Sequence, residues 1–571
     1  GVGKSRLCFE FGEWCRRRRV PVLEARAHVL GQATPLLPMV ELLRASLRIT
    51  PEMEPEEARQ RIAERLWELE PSLADGLPLL ADFLNVADPD VPLPSLDPRT
   101  RQARLREIIT RMIKAGGRRP GVIIVEDLHW LDEASRESVE YLVEELRGTK
   151  IFLVVTFRPP LSLPWSSQTK YRELRLAELA AGDMRHVVRD LMGDAPALDQ
   201  AVARVADQSG GNPFFAHELV LSLAQSGVLV GSRGQYRLGP SGWDNPALPA
   251  TVEAVVGARI DRLGEPQKQL LQIGAVVGKD FPLEVVRAVA NIAESALQPL
   301  LDQLCAAELI QPCMTPAGAS FAFRHPLIQE VGYAMQLRSR RTPLHAAVAD
   351  VIGRFDWGLR DESSGLLAHH YEASGQMLEA AMHLQRAARW IGRTNSARAL
   401  ADWKKVRRLM QDQPRSRDND QLRALASGQL LSFGWREGMA ADEAKLYAEE
   451  ALGFARESGD RQHELSILGA YGRIMAAGGK ADDYVRLVRE ALALTEPGVN
   501  PESDLLLNGL LCQACTRAGL MREALAANDA ALQAIDIPGN PNTGAVLGHS
   551  LEQRVGFNVA HWVRCLRAYP L

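Results

Sequence analysis

The chain contains no apolar run approaching the roughly 18 residues that a membrane-spanning helix needs, which argues against an integral membrane helix and predicts a soluble protein. It also lacks a charge excess of either sign. Lysine and arginine total 67 against 71 aspartates and glutamates, a formal net charge of −4. No global field therefore favours nucleic acid or an anionic membrane surface, and neither is expected as a partner. Cysteines are few, seven in 571 residues, scattered and odd in number. That usage fits a reducing cytosol better than a disulfide framework, and the expected location is cytoplasmic. Metal-site patterns are missing too. Cys512-Gln513-Ala514-Cys515 has a zinc-like spacing, but no second CxxC, paired histidines or HExxH accompanies it. It falls in a helical run, Leu505 to Ala518, where positions i and i+3 face the same way, so both thiols are read as core.

What is present begins at the first residue. Gly1-Val2-Gly3-Lys4-Ser5 supplies the last three places of G-x-x-x-x-G-K-[ST] in Gly3, Lys4 and Ser5, with no start methionine or strand before it. The expectation is a phosphate loop entered midway, in a chain cut at this end. Tyr569-Pro570-Leu571, where a helical repeat stops without a polar cap, suggests a cut at the other end as well. Glycines let backbone N–H groups close on phosphate oxygens, Lys4 places a point charge near the β and γ phosphates, and Ser5 can ligate Mg²⁺. Arg6 continues into a helix whose N-terminus adds its positive dipole end. Residues Gly1, Val2, Gly3, Lys4, Ser5 and Arg6 are thus the candidate nucleotide-binding segment. The basic run Arg16 to Arg19 is expected to close this helix, where cations complement the dipole.

A second motif makes the first specific. Gly121-Val122-Ile123-Ile124-Val125-Glu126-Asp127 reads as a buried parallel strand with two acids at its C-terminal edge, where ligands sit in open α/β sheets. One carboxylate there can hold the magnesium shell and the other can orient or deprotonate the attacking water. A third strand, Lys150 to Arg158, ends in an arginine that would point at the γ-phosphate. A fourth signal, Gly210-Gly211-Asn212-Pro213-Phe214-Phe215, is a turn that launches a helix.

Composition shifts outline the organisation. Strands at Val20–Ala27, 121–126 and 150–158 alternate with helices at Pro38–Leu47, Glu54–Leu69 and Arg101–Ala115, with a proline-rich loop at Asp88–Pro94. That alternation implies a parallel three-layer sheet. After Tyr171–Leu179 the strand-like runs stop. A small helical lid follows, and the Gly/Ser/Pro/Asn-rich stretch Gly231–Pro249 marks a boundary. From about Leu248 to His345 three helices precede short strands at Leu309–Gln311 and Ser320–Phe323, the outline of a winged helix. Its helices Leu283–Ala290 and Glu294–Ala306 lack the row of Arg, Lys, Asn and Gln that base edges require, so DNA binding is not expected of it. From Leu366 onward helix pairs recur around Gly375, Gly478-Gly479 and Gly519. They resemble tetratricopeptide repeats, with irregular periods nearer 40 than 34 residues. The expected fold is an α/β P-loop NTPase core over 1–179, an all-α lid and linker over 180–245, a winged-helix-like module over 246–345 and an α-solenoid of tetratricopeptide-like helix pairs over 346–571.

The ordered set GVGKS, VIIVEDLHWLDEAS, TFRPP, GGNPFFAHEL, ARIDRLGEPQKQLLQIGAVVGKDF and FRHPLIQEVGY resembles the signal-transduction ATPases with numerous domains. The likeness is to the bacterial branch whose ATPase and repeat region follows a class III nucleotide cyclase domain or precedes a helix-turn-helix of the LuxR type. It implies ATP or ADP with Mg²⁺ as cofactors, magnesium and water handled by Glu126 and Asp127, a phosphate sensor in Arg158, and Pro213 against the adenine. With Ser5, the two acids form the implied magnesium set. Many relatives carry Asp-Asp where this chain has Glu126-Asp127, so the division of roles between the two stays open, with Asp127 on the water as the working order. Expected partners are ATP, a protein or peptide ligand on the repeats, and further copies of the chain on activation.

Two classes of function follow. One is a slow ATPase acting as a switch, whose repeats sense a protein or small-molecule signal and control an effector, most in keeping a nucleotide cyclase and alternatively a LuxR-type DNA-binding domain. The other is a repeat scaffold with a vestigial ATPase. Intact Lys4, Ser5, Glu126, Asp127 and Arg158 favour the first, because a scaffold would tolerate their loss.

Overall fold

The computed structural model describes residues 2–27, 36–50, 53–88, 91, 96, 98–159, 161, 163–167, 171–240, 242–244, 246–315, 318–354, 364–393, 395–495, 500–535 and 559–568. Gly1, most of the proline-rich loop 88–94 and the terminal Tyr569–Leu571 lie outside them. The chain begins with helix α1 (Lys4–Arg17), strand β1 (Val22–Arg26), α2 (Leu37–Leu47), α3 (Pro55–Leu69), α4 (Leu77–Phe83) and α5 (Pro98–Gly116). Strand β2 (Gly121–Glu126), α6 (Glu133–Glu145) and β3 (Ile151–Val155) follow, then α7 (Ala181–Met192), α8 (Asp199–Gln208) and α9 (Pro213–Gln225). The described residues form two compact units, one drawn from 1–61 and 113–357, the other from 62–112 and 358–571.

The first unit is built on a parallel sheet in the order β1-β2-β3. Strand β2 lies in the middle, and its apolar run is buried on both faces, as central parallel strands require. The period of two divides it: Val122 and Ile124 pack with Cys8 and Cys15 of α1, whereas Ile123 and Val125 pack with Leu42 of α2 and Val139 of α6. That is the expected three-layer arrangement. Arg16 ends α1 as anticipated and pairs with Glu13 and, at 2.5 Å, with Glu24 of β1. The run Tyr171–Leu179 pairs with no strand among the described residues; its charged side chains, such as Arg175 with Glu173, stay at the surface.

The lid helices α7, α8 and α9 enclose Met184, Val188, Val205, Ala216 and Leu219. Strands β4 (Leu229–Val230) and β5 (Arg237–Leu238) form a hairpin over this core, and Tyr236 is buried in it. Part of the glycine-rich stretch read as a boundary is therefore a packed element: glycines that permit the turn also allow the hairpin. Next come α10 (Val252–Asp261), α11 (Glu265–Val277), β6 (Asp280–Pro282), α12 (Leu283–Ala290), α13 (Glu294–Ala306), β7 (Ile310–Thr315) and β8 (Gly318–Phe323). The three strands pair antiparallel in the order β6-β8-β7. The winged-helix outline holds, with β6 as an unanticipated third strand. Three residues ending in Pro282 are too few to show an alternating pattern. Helices α14 (Pro326–Ala334) and α15 (Arg338–Arg354) complete this unit.

Among the described residues the second unit is helical. It contains α4 and most of α5, then α16 (Ser364–Ser374), α17 (Met377–Ile391), α18 (Ser396–Gln411), α19 (Arg417–Gly434), α20 (Ala441–Ser458), α21 (Arg461–Ala477), α22 (Ala481–Ala493), α23 (Pro501–Arg517), α24 (Met521–Ile535) and α25 (Val559–Leu566). Helices α20, α22 and α24 start at 441, 481 and 521, a repeat of 40 residues, which matches the irregular period read from the sequence. Small residues let the helices approach closely: Ala444, Ala451, Ala491, Ala524 and Ala531 are all essentially unexposed. Charged pairs step from one repeat to the next, Arg407 to Glu450, Arg456 to Glu490, and Arg489 to Glu523. Asp82 of α4 accepts from Arg101 at 2.7 Å and from Arg393, beyond α17, so the segment between α3 and β2 is tied to the first repeats. Cys512 and Cys515 are fully buried in the repeat core.

Candidate functional site

The C-terminal edge of the parallel sheet gathers the site. Ladder register sets Arg26 opposite Glu126 at the ends of β1 and β2. Both share the α1 face with Val122 and Ile124, because side chains two residues apart point the same way. Arg26 Nε donates to Glu126 Oε1 at 3.1 Å, and its Nη2 donates to the same oxygen. Glu126 is 9 % exposed, and its Oε2 is buried without a partner. Beneath the pair, burial and the Glu126 charge push the Cys8 thiol up to about 11.

Asp127 leaves the strand with φ 60°. Short polar residues tolerate this left-handed backbone best, and the Asp127 N–H is anchored on Thr156 Oγ1 at 2.9 Å. The turn departs from the sheet at once, so the neighbouring acids do not share a face. His129 follows in the same turn, against Trp130, with both ring nitrogens buried and unpartnered. Burial lowers its pKa, Arg158 and Lys4 lower it further, and Asp127 acts in the opposite sense. The charges of Asp127, Arg158 and Lys4 thus all reach His129.

At the phosphate-loop exit, Gly3 has φ 97° and caps α1, and Leu7 N–H donates to Gly3 O at 3.0 Å. A side chain would strain that backbone. Val2 and Lys4 are half-buried and Ser5 is exposed; Gly1 lies outside the described residues. Arg6 is exposed and turned to Glu10 at 2.5 Å. Arg158 stands exposed beyond β3.

The lid contributes its own edge. Gly211 has φ 78°, and a Cβ there would meet Leu179 O and Glu178 Cβ at 2.7 Å, so the GGNP turn needs glycine to pack against 178–179. Asn212 then caps α9 by accepting from Phe214 N and Phe215 N, and Pro213 takes the first helical position, where a missing N–H costs nothing. From the winged-helix module come Lys279 and His325, brought to one strand end by the hydrogen bond from Phe323 N to Lys279 O. His325 Nδ1 accepts from Leu327 N and caps α14. Burial first, and then surrounding positive charges, Arg158, Lys279 and Lys4 among them, push its pKa down to about 3. Lys279 is itself lowered by burial and Arg26, with Asp127 and Glu126 acting in the opposite sense.

Of the residues read from the sequence, Lys4, Glu126, Asp127 and Arg158 thus converge, while Pro213 opens the lid helix whose next residue contacts His325. Arg26, His129, Lys279 and His325 are added by the structure: the last three lie inside the sequence motifs without a pattern of their own, and only the strand register gives Arg26 its partner. Ser5, Glu126 and Asp127 are oxygen donors of the type that Mg²⁺ or its water shell takes beside phosphate oxygens, and the orphaned Oε2 of Glu126 can accept from an ordered water of that shell.

A parallel sheet with acids at its C-terminal edge, a GKS helix start and, later in the chain, a region of helical repeats define the class: a P-loop NTPase-like fold followed by an α-solenoid. Residues 1–155 match the family model of the AAA ATPase domain. An uncharacterized protein of Rhizobium meliloti (strain 1021) is 27 % identical over 408 residues, covering 70 % of this chain and 38 % of that protein. The chain thus spans well under half the length of this curated relative. Among solved structures, a Signal Transduction ATPase with Numerous Domains protein with a tetratricopeptide repeat sensor from Pyrococcus horikoshii aligns over 98 % of this chain and 84 % of its own, at 11 % identity and a TM-score of 0.36.

Proposed function

We propose that this chain is the nucleotide-binding and sensing part of an ATP-dependent signalling switch. ATP or ADP sits at the C-terminal edge of the sheet, with the α1 N-terminus and Lys4 on the phosphates. Ser5, Glu126 and Asp127 serve magnesium and water, Arg158 meets the γ-phosphate, and Pro213 lies against the base. The observation that carries the reading is that Lys4, Asp127 and Arg158 of the core and Lys279 of the winged-helix module lie in one electrostatic neighbourhood at the C-terminal edge of the sheet. Cations from separate modules facing one region are what a polyphosphate would bind together. Such a site suits slow hydrolysis, in which the nucleotide is held as a state marker.

The repeats take a protein or small-molecule signal and transmit it to an effector, a nucleotide cyclase domain being most in keeping with the motif order and a LuxR-type DNA-binding domain the alternative. Allostery requires that the signal bind one nucleotide state better than the other, and the coupling is reciprocal. The test is binding of a fluorescent ATP analogue without metal. Lys4→Ala is expected to abolish it, and binding unchanged by that substitution would remove the phosphate-loop assignment.

A further inference from the structure

We propose that Arg26 is a positioning residue that ties up Glu126 and leaves Asp127 as the acid that meets magnesium, an inference that rests on the nucleotide-site reading above. It reverses the working order of the two acids. Glu126 is the last residue of β2 and its register partner is Arg26, so the two side chains project side by side from one face. Two N–H groups of the guanidinium converge on Oε1, which neutralises the carboxylate and fixes its rotamer. Only Oε2 remains, enclosed in a residue that is more than nine-tenths buried. Magnesium keeps several waters and demands near-octahedral oxygens. A neutralised, enclosed carboxylate suits it poorly, but can accept from one ordered water.

Asp127 differs in each respect. Its left-handed backbone, anchored on Thr156, carries it off the face that Glu126 occupies. It is half-buried rather than buried.

The test uses the full 571-residue chain loaded with ATP, and Mn²⁺ as the probe, with free metal counted by its electron paramagnetic resonance signal. Asp127→Asn is expected to weaken Mn²⁺ binding at least about tenfold more than Glu126→Gln does, because losing a ligand costs more than losing an outer-shell partner, itself worth about 10–100-fold. Arg26→Gln should release Glu126, so that the double variant Arg26→Gln/Asp127→Asn regains at least about threefold of the affinity lost in Asp127→Asn. Arg26→Lys, which keeps the charge, should retain the pattern of the unaltered chain. Glu126→Gln as damaging as Asp127→Asn, or a double variant no better than Asp127→Asn, would overturn the proposal. If Arg26→Gln does not fold, the comparison of Glu126→Gln with Asp127→Asn decides alone, since Arg26 is intact in both. Loss of metal-free ATP binding in Lys4→Ala alongside a failed Mn²⁺ pattern discards only the role of Arg26; unchanged binding in Lys4→Ala discards the site reading itself.

Discussion

The imidazole of His325 lies flat on the ring of Phe214, with centroids 3.7 Å apart and planes 15° from parallel. The contact joins the start of the lid helix α9, one residue after Pro213, to the N-cap of α14 in the winged-helix module. It also buries the imidazole among cations, which holds His325 neutral down to about pH 3 against 6.5 for the free side chain. The unfolded chain takes up a proton below 6.5 that the folded chain refuses, so this histidine lowers folding stability as pH falls from about 6.5 towards 3. His325→Asn keeps a capping side chain and cannot titrate. Melting temperature measured against pH should show a shallower acid limb in this variant, by up to about 1.4 kcal/mol per pH unit. Identical limbs would assign the acid sensitivity to other groups.

His217 predicts the opposite sign. Burial would lower its pKa, but hydrogen bonds to Glu218 and Glu308 overcome that and raise it. Its contribution is complete below 6.5 and is lost as pH rises through the raised value. Glu308, lowered to about 2 mainly by the hydrogen bond from His217, keeps its contribution above 4.5 and loses it towards pH 2. Between pH 6 and 9 the chain should therefore lose melting temperature more steeply than His217→Gln does. Parallel curves would show that the His217–Glu308 contact, at 3.4 Å, carries no proton-linked stability.

Arg259 and Glu218 form an ion pair in which neither side chain is more than 1 % exposed, and Arg259 also donates to Ala307 O. Removing one partner strands a buried charge, so Glu218→Gln or Arg259→Met alone should cost about 3–5 kcal/mol in urea unfolding. The joint change Glu218→Leu/Arg259→Met should cost distinctly less than either single change. Additive single losses would mean the two groups do not act as a pair.

In the repeats, Gly472 sits inside α21 with the ring of Tyr484 where a Cβ would go. Tyr484 is fully buried and its hydroxyl donates to Gln513 Oε1 at 3.0 Å, so the ring has little room to yield. Gly472→Ala, which would stabilise an exposed helix by about 1 kcal/mol, is expected here to destabilise by about 1–3 kcal/mol through overpacking. A stabilised variant would show that Tyr484 can move. Trp403, also fully buried, should cost about 3–5 kcal/mol as Trp403→Ala.

Local chemistry was legible along the chain. The β-branched run before Glu126 could only be a central strand, Asn212-Pro213 could only start a helix, and the glycine turns at 375, 479 and 519 marked the repeats, each now found with φ near 80°. The third winged-helix strand was not legible, because Asp280–Pro282 is too short for a period. Nor was the Tyr236 hairpin, since its glycines read equally as linker.

The sequence by itself determined the order of elements, the class of the core and which residue types could meet a phosphate, because periodicity, capping and turn chemistry act over a few neighbouring residues. Only the tertiary structure decided who faces whom. Arg26 meets Glu126 across a hundred residues through strand register, and Asp127 parts from Glu126 through one left-handed residue. The charges of Lys279, Lys4 and Arg158 reach His325 although they stand far apart along the chain. Pairings of that kind depend on packing between distant segments, where no local pattern records the partner.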